Sequence, residues 1–358
     1  MVVHICCAVD SHYFLQKLQH DYPNEKLIGF FYDPNIHPYS EYRLRLLDVK
    51  RSCKLLNIEL IEGEYDTQGW LEAVRGYENE PEKGARCSIC FDNRFETTAK
   101  KAHELGEKVF TSTLLTSPKK SLTQLKASGD YLANKFDIEF IAPDYRTKQG
   151  TGEQNILAKK DRLFRQDYCG CLFGLTKQRE YQEKLADELF SPISKQIMPE
   201  SIEEKLDMYE LRWQLEDGNQ EYIIRKEKFL NYRLLRSWVQ NGKEVIYSHF
   251  LPYSVLKKGY SRGKISWQGE IGYFDRDEII FITLNHYNNL ANTTYETTKE
   301  LLYSPPSFED EVAIRNKVVK SSYNLCAIIV IDDITNGKFE IACDSKAYED
   351  VREILTKI

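Results

Sequence analysis

Six of the nine cysteines in this 358-residue chain fall into three tight pairs, Cys6-Cys7, Cys87-x-x-Cys90 and Cys169-x-Cys171. Thiolates are soft ligands, and six of them recurring in pairs equip a chain for zinc, a mononuclear iron or an iron–sulfur cluster. The pairs stand far apart in sequence, so a fold that uses them must bring three distant segments to one place. All three lie in the first half of the chain, which is where the chemistry is expected.

The composition is that of an ordinary globular protein, 42% hydrophobic and 29% charged. Its length points to two domains. No stretch approaches the ~20 apolar residues that span a bilayer. The chain enters a strand-like run at once (Met1-Val2-Val3-His4-Ile5) with no basic leader pattern, so a cytoplasmic protein is expected. In that compartment nine cysteines favour metal or redox chemistry over disulfides. The net charge of −6 argues against non-specific coating of nucleic acid. The two halves differ, though. Through Arg179 there are 26 Lys+Arg against 25 Asp+Glu, and beyond it 23 against 30. The cysteine-bearing half has room for a local basic face.

The first half alternates strand-like and helix-like segments, the pattern of a parallel sheet covered by helices. Strands are expected at 27–32, 57–61, 108–113 and 137–141. Helices are expected from Tyr42, over 92–105, 124–136 and 152–162. The helix from Tyr42 is marked by Tyr42, Leu46, Val49, Cys53 and Leu56, which share one face. After Cys171 a charged helix is expected over 175–189, then a Pro-containing linker over 191–200. The remainder, 191–358, reads as an α+β domain with strands at 245–250, 279–284 and 325–331 and a closing helix over 347–358.

His4-Ile5-Cys6-Cys7-Ala8-Val9-Asp10 sits where the first strand passes into the first helix, and the carboxyl ends of strands are where open α/β sheets bind ligands. Asp10 follows Cys7 by about one helical turn, so the two can share a metal. Arg86-Cys87-Ser88-Ile89-Cys90 leads into a helix, a spacing suited to a cluster, zinc or a redox dithiol. In Tyr168-Cys169-Gly170-Cys171 the glycine lets the backbone turn so that both thiols face one centre. Cys53, Cys326 and Cys343 sit on apolar stripes or in strand-like runs and are read as structural. Asp33-Pro34-Asn35-Ile36-His37-Pro38-Tyr39 is a proline-stiffened loop at the same sheet edge, suited to substrate contact or proton delivery. The loop from Thr111 to Lys120 is polar and then basic, suited to phosphate contacts. No GxxxxGK[ST], GxGxxG or Ser-Gly-Gly loop is present, so nothing supports ATP or dinucleotide use.

Taken in order, the stretches HICCAVDS, FFYDPNIHPYSEY, IEGEYDTQGWLEAVRGYENEPEKGARCSICF, FTSTLLTSPKK and FRQDYCGC resemble the QueH family of epoxyqueuosine reductases, the type that does not use cobalamin. The resemblance covers about residues 1–175 and leaves the rest as an extension of open role. It implies a parallel-sheet α/β domain of the adenine-nucleotide-hydrolase-like (HUP) type, a [4Fe-4S] cluster and a second metal ion nearby, expected to be iron. It also implies two-electron reduction of the epoxide of epoxyqueuosine at the wobble position of tRNA. The metal-ligand positions map to Cys6, Cys7, Asp10, Cys87, Cys90, Cys169 and Cys171. One division gives Cys6, Cys87, Cys90 and Cys169 to the cluster and Cys7, Asp10 and Cys171 to the second ion. Protons would come from Asp33, His37, Tyr39 or Tyr168, with Asp10 also at the reacting centre. Contacts to the anticodon loop would come from Lys119, Lys120, Lys159, Lys160, Arg162 and Arg165. A low-potential electron donor is needed and its identity stays open; neither ATP nor a membrane is called for. The rival readings are an iron–sulfur tRNA sulfurtransferase and a non-catalytic, zinc-stabilised tRNA-binding protein.

Overall fold

A computed structural model describes residues 1–117, 120–146, 148–276, 278–321 and 324–358. It separates into two compact units. The first is Met1–Leu189 with Lys205–Gln220, and the second is Phe190–Glu204 with Glu221–Ile358. The chain therefore crosses between units more than once around residues 190–220, where sequence alone suggested one boundary near 190.

The first unit is built on a five-stranded parallel sheet in the order β3-β2-β1-β4-β5. The strands are β1 (Val2–Ile5), β2 (Ile28–Phe31), β3 (Glu59–Glu62), β4 (Val109–Ser112) and β5 (Glu139–Phe140). β1 and β2 are buried along their whole length, as central parallel strands covered on both faces must be. Gly29 lets them close up, since a Cβ there would sit 2.8 Å from Ile5 Cδ1.

Helices α1 (Ala8–Asp21), α2 (Tyr39–Leu55), α3 (Thr67–Ala73), α4 (Ala85–Glu104), α5 (Leu122–Phe136), α6 (Lys148–Lys160) and α7 (Leu172–Tyr181) complete the unit, with the 205–217 part of α8 (Ile202–Asp217). α4 begins seven residues before the expected start, which puts Cys87 and Cys90 inside its first turns rather than ahead of it. The helix expected over 175–189 ends at Tyr181.

The second unit packs two sheets and a helical layer. One sheet orders its strands β10 (Ser266–Gln268), β11 (Ile271–Phe274), β12 (Ile279–Thr283), β13 (Ala327–Ile331) and β8 (His249–Phe250). Phe281, Ile329 and their neighbours face the second sheet; Ile282, Ile328 and Val330 face α9 (Leu284–Ala291), α10 (Thr298–Tyr303) and α11 (Phe308–Val318). Covered on both faces, β12 and β13 read as unbroken apolar runs.

The second sheet is antiparallel, ordered β7 (Glu244–Ile246), β6 (Tyr222–Asn241), β14 (Phe339–Lys357) and β9 (Tyr260–Gly263). β14 corrects the expected closing helix over 347–358. Ala347, Val351, Ile354 and Leu355 have helical spacing, but the segment pairs with β6 from Phe339↔Asn241 to Lys357↔Tyr222. Ladder bonds to a distant strand override a local periodicity that is only marginal. No helix among the described residues is long and apolar enough to cross a membrane.

Candidate metal centre

The strand order of the first unit reverses between β1 and β4, and the loops that leave these two strands build the site. His4 ties the strands together: its Nδ1 lies 2.9 Å from Ser112 Oγ. Cys6 and Cys7 follow β1, with their sulfurs 3.8 Å apart, and Thr113 Oγ1 after β4 is 3.7 Å from Cys6 Sγ. One donor atom each from Cys6, Cys7 and Asp10 lies within 4.8 Å of the others, so the three can share one ion.

The other four thiols form a second group. Cys87, Cys90, Cys169 and Cys171 line one pocket together with Trp70, Arg94 and Lys120. The two groups adjoin. Arg94 feels both Cys90 and Cys6, and Arg45 feels Cys7 while its guanidinium lies 5.1 Å from the Tyr168 ring centre.

All three cysteine pairs meet helix N-termini. Cys7 caps α1, Cys87 and Cys90 fall in the first turns of α4, and Cys171 caps α7. The free N–H groups and positive dipole end of a helix favour a thiolate there, although a hydrogen bond with Cys6 and burial push the Cys7 thiol up and burial pushes the Cys90 thiol up. The Lys83 N–H donates to Cys87 Sγ at 3.3 Å. Within the CGC pair, a hydrogen bond from Cys171 holds the Cys169 thiol well below its ordinary range, helped by Lys120 and Arg45; the donor Cys171 is pushed up.

Gly170 is required where it stands. Its φ is +97°, and a Cβ would come within 2.7 Å of Ile36 Cγ1. The close approach lets its carbonyl accept the His37 N–H at 2.8 Å, pinning the thiol loop to the 35–37 loop.

Among the described residues, several buried polar atoms around this centre have no oxygen or nitrogen partner: Asp33 Oδ2, Asn35 Oδ1, Trp70 Nε1, Arg86 Nε and Arg94 Nε. Buried donors and acceptors are almost always satisfied. The N–H donors of Trp70, Arg86 and Arg94 line the thiol pocket, and that of Trp70 acts on Cys90. Such donors beside four soft thiols fit an anionic, sulfur-rich group.

The proposed proton donors divide. Asp33 is buried, is gripped by Arg94 through Oδ1, and is pushed up to about 6 by burial against the pull of Arg94 and Arg45. His37 is half-buried, its ring 5.8 Å from that of Trp70. Tyr168 is committed elsewhere: its hydroxyl donates to the His37 carbonyl, and burial pushes its pKa up. Tyr39 is exposed and stacks on Tyr42 and Tyr65. Asp10 accepts from Gln154 Nε2 at 2.9 Å, and burial raises its pKa against that bond.

Of the expected RNA contacts, Lys119 lies outside the described residues. Lys120 faces inward, into the thiol pocket. Lys159, Lys160, Arg162 and Arg165 are exposed at the end of α6 and in the turn after it, with Arg165 Nη2 donating to Asn155 Oδ1 at 2.8 Å. Sequence reasoning gave no role to Arg45, Trp70, Arg94 or Gln154: Trp70 falls within one of the matching stretches but carries no ligand chemistry of its own, and the other three lie outside them and act through contacts made by the fold. One signal was available: Arg94 falls one helical turn after Cys90, on the same face.

A parallel α/β domain that brings six thiols and Asp10 to the switch point of its sheet defines a candidate metal-binding domain. Residues 1–177 match the family model described as epoxyqueuosine reductase QueH. The epoxyqueuosine reductase QueH of Helicobacter pylori is 41% identical over 352 residues, 94% of each chain. That of Acinetobacter baylyi is 38% identical over 49% of this chain and 80% of its own, and that of Thermotoga maritima 33% over 52% and 95%. The chain belongs to the epoxyqueuosine reductase QueH family. Its second half is shared along the length of the H. pylori protein and has no counterpart in the aligned part of the T. maritima protein.

Proposed function

We propose that the protein reduces the epoxide of epoxyqueuosine in the anticodon loop of tRNA, in the cytoplasm, drawing electrons from a low-potential donor. The observation that carries this is the convergence of six cysteines and Asp10 on one strand-switch site, in a chain of this family. The geometry favours a division different from the one drawn from sequence. Cys87, Cys90, Cys169 and Cys171 would hold a [4Fe-4S] cluster, and Cys6, Cys7 and Asp10 a mononuclear ion, by preference iron. When bound, the cluster supplies single electrons and the mononuclear ion a Lewis acid for the epoxide oxygen.

Losing that oxygen as water takes two electrons and two protons. Asp33, with a pKa of about 6, can hold a proton near neutral pH at its carboxyl, beside Arg94 and 3.9 Å from His4 Nε2. His37 offers a second proton site at its ring. Tyr168 and Tyr39 are left as packing residues by their contacts. Gln154 holds the Asp10 carboxylate in place, and α6 then continues to the exposed Lys159, Lys160, Arg162 and Arg165. These four are suited to the phosphates flanking an extruded base.

The test is anaerobic purification with iron and sulfide analysis, followed by turnover of epoxyqueuosine-containing tRNA. About four sulfides with four to five irons per chain, and product formation, are expected. Zinc without acid-labile sulfide after anaerobic reconstitution would overturn the reading.

A further inference from the structure

The thiol pocket carries three cations, Arg86, Arg94 and Lys120, and they are not equivalent. Arg94 is paired with the Asp33 carboxylate. Arg86 turns its Nη1 to the carbonyls of Tyr77, Glu78 and Glu80 and holds that loop. Lys120 is different: its strongest opposite charges are the thiolates themselves. It lines the pocket together with Cys87, Cys90, Cys169 and Cys171, and the charges of Cys169, Cys87 and Cys90 act on it in that order.

The position of Lys120 is fixed by its backbone. Its N–H donates to the Ser117 carbonyl at 3.2 Å, and its own carbonyl accepts Arg146 Nη1 at 2.8 Å. The ammonium lies 5.6 Å from the centre of the Phe91 ring, against the wall that α4 gives the pocket. A lysine placed to meet the solvent-facing backbone of an RNA has no reason to be held this way.

Resting on the cluster reading above, we propose that Lys120 sets the reduction potential of the group held by Cys87, Cys90, Cys169 and Cys171, raising it by a fixed positive charge. On reduction the cluster takes one electron from an external donor; no bond breaks and no proton need move. The added negative charge is felt by a neighbouring ammonium far more strongly in a protein pocket than in water. Net charge and donors around the sulfurs are established levers on such potentials. The Trp70 indole N–H, buried in the same wall and acting on the Cys90 thiol, works in the same direction.

The experiment is a dithionite titration of the whole anaerobic protein, followed by the visible spectrum and electron paramagnetic resonance, on wild type, Lys120→Met and Lys120→Arg. Iron and sulfide are measured on each. Lys120→Met should keep its cluster but show a reduced-to-oxidised ratio at least tenfold lower at the wild-type midpoint, a downward shift of 59 mV or more for one electron. Lys120→Arg should stay close to wild type. A full cluster at unchanged potential in Lys120→Met would overturn the proposal and leave the cluster reading standing. Loss of the cluster in Lys120→Met, with or without its retention in Lys120→Arg, would also overturn it, since the lysine would then serve assembly. Absence of iron and sulfide from the wild type would instead sink the reading on which the proposal rests.

Discussion

The two units place their buried polar groups differently. In the first, atoms of Asn35, Arg86 and Arg94 left without an oxygen or nitrogen partner gather at the wall of one pocket, beside four thiols. In the second, unpartnered atoms of His249, Thr298, Arg315 and Arg352 also occur, but none of them lines that pocket, and other buried polar groups answer one another. His249 Nε2 meets Glu311 at 2.5 Å, Gln196 Nε2 reaches the same carboxylate at 3.2 Å, and the Ser254 carbonyl accepts from the hydroxyls of Tyr232 and Ser345, both at 2.9 Å. The first unit gathers its open donors beside thiols, and the second does not. The same contrast separates the cysteines. Six sit at helix N-termini facing a shared site, whereas Cys343 lies in a strand with one weak bond of its own.

Removing a ligand should break the contrast most visibly. Cys90→Ser is expected to lose most of its iron and sulfide and to bring turnover to background, while thermal unfolding of the second unit stays put. Retention of a full cluster in Cys90→Ser would refute the four-thiol grouping.

A pH effect comes next. Asp48 on α2 accepts the Phe164 N–H at 2.8 Å, and Arg51 and Arg212 brace the preceding Asp161 carbonyl at 2.8 and 2.9 Å. Together they anchor the turn that leads into Cys169. Burial pushes the Asp48 carboxyl up to about 6 against its Phe164 bond. The folded value lies above the ordinary 3.8, so the folded state binds this proton more tightly. The resulting stability is complete below the unfolded pKa and is lost as pH rises through the folded one. Two units at 1.36 kcal/mol each make about 3 kcal/mol. Asp48→Asn should keep an acceptor for Phe164 and remove that part of the pH dependence. Urea unfolding between pH 4 and 7 tests it, and identical slopes for the two proteins would show that Asp48 does not carry the effect.

What could be read from sequence follows the range of the forces. The parallel sheet was legible because β1, β2 and β4 are short runs between amphipathic helices, and the candidate ligand positions stood out because thiol pairs are rare. The β6–β14 ribbon was not legible. Its residues carry alternating charges, Lys226 against Glu353 and Glu227 against Arg352, and only pairing across more than a hundred residues shows that they are strands. The division of the thiols was hidden for a similar reason. Residue spacing reports which donors share a turn, whereas the grouping of Cys6 and Cys7 with Asp10, apart from the other four thiols, depends on where α4 and the Gly170 turn are delivered.

A gentler change sharpens the contrast within the first unit. Gln154 is buried and donates to Asp10 Oδ1 at 2.9 Å and to the Val9 carbonyl at 3.3 Å. Partners that orient a metal-binding carboxylate are worth about 10–100-fold in metal affinity. Gln154→Leu should therefore lose mononuclear iron on mild chelation while retaining its full complement of sulfide. Simultaneous loss of iron and sulfide would mean that the two metal groups do not have separate ligand sets.

The smallest effect is expected from Cys343→Ala, and it tests the other side of the comparison. Cys343 is 1% exposed, and its thiol donates to the Ser254 carbonyl at 3.4 Å. That carbonyl keeps the Tyr232 and Ser345 hydroxyls when the thiol goes, so no acceptor is orphaned. What is lost is one sulfur's worth of packing between the two sheets of the second unit, about 1 kcal/mol, in the range of small buried truncations. Because burial outweighs the Ser345 hydroxyl and pushes the pKa of Cys343 up to about 11, the thiol stays protonated. Iron, sulfide and turnover should match wild type, with a small drop in the unfolding temperature. A change in iron content on losing Cys343 would mean that the second unit takes part in holding metal, and the division between a unit that gathers open donors beside thiols and a unit that does not would fail.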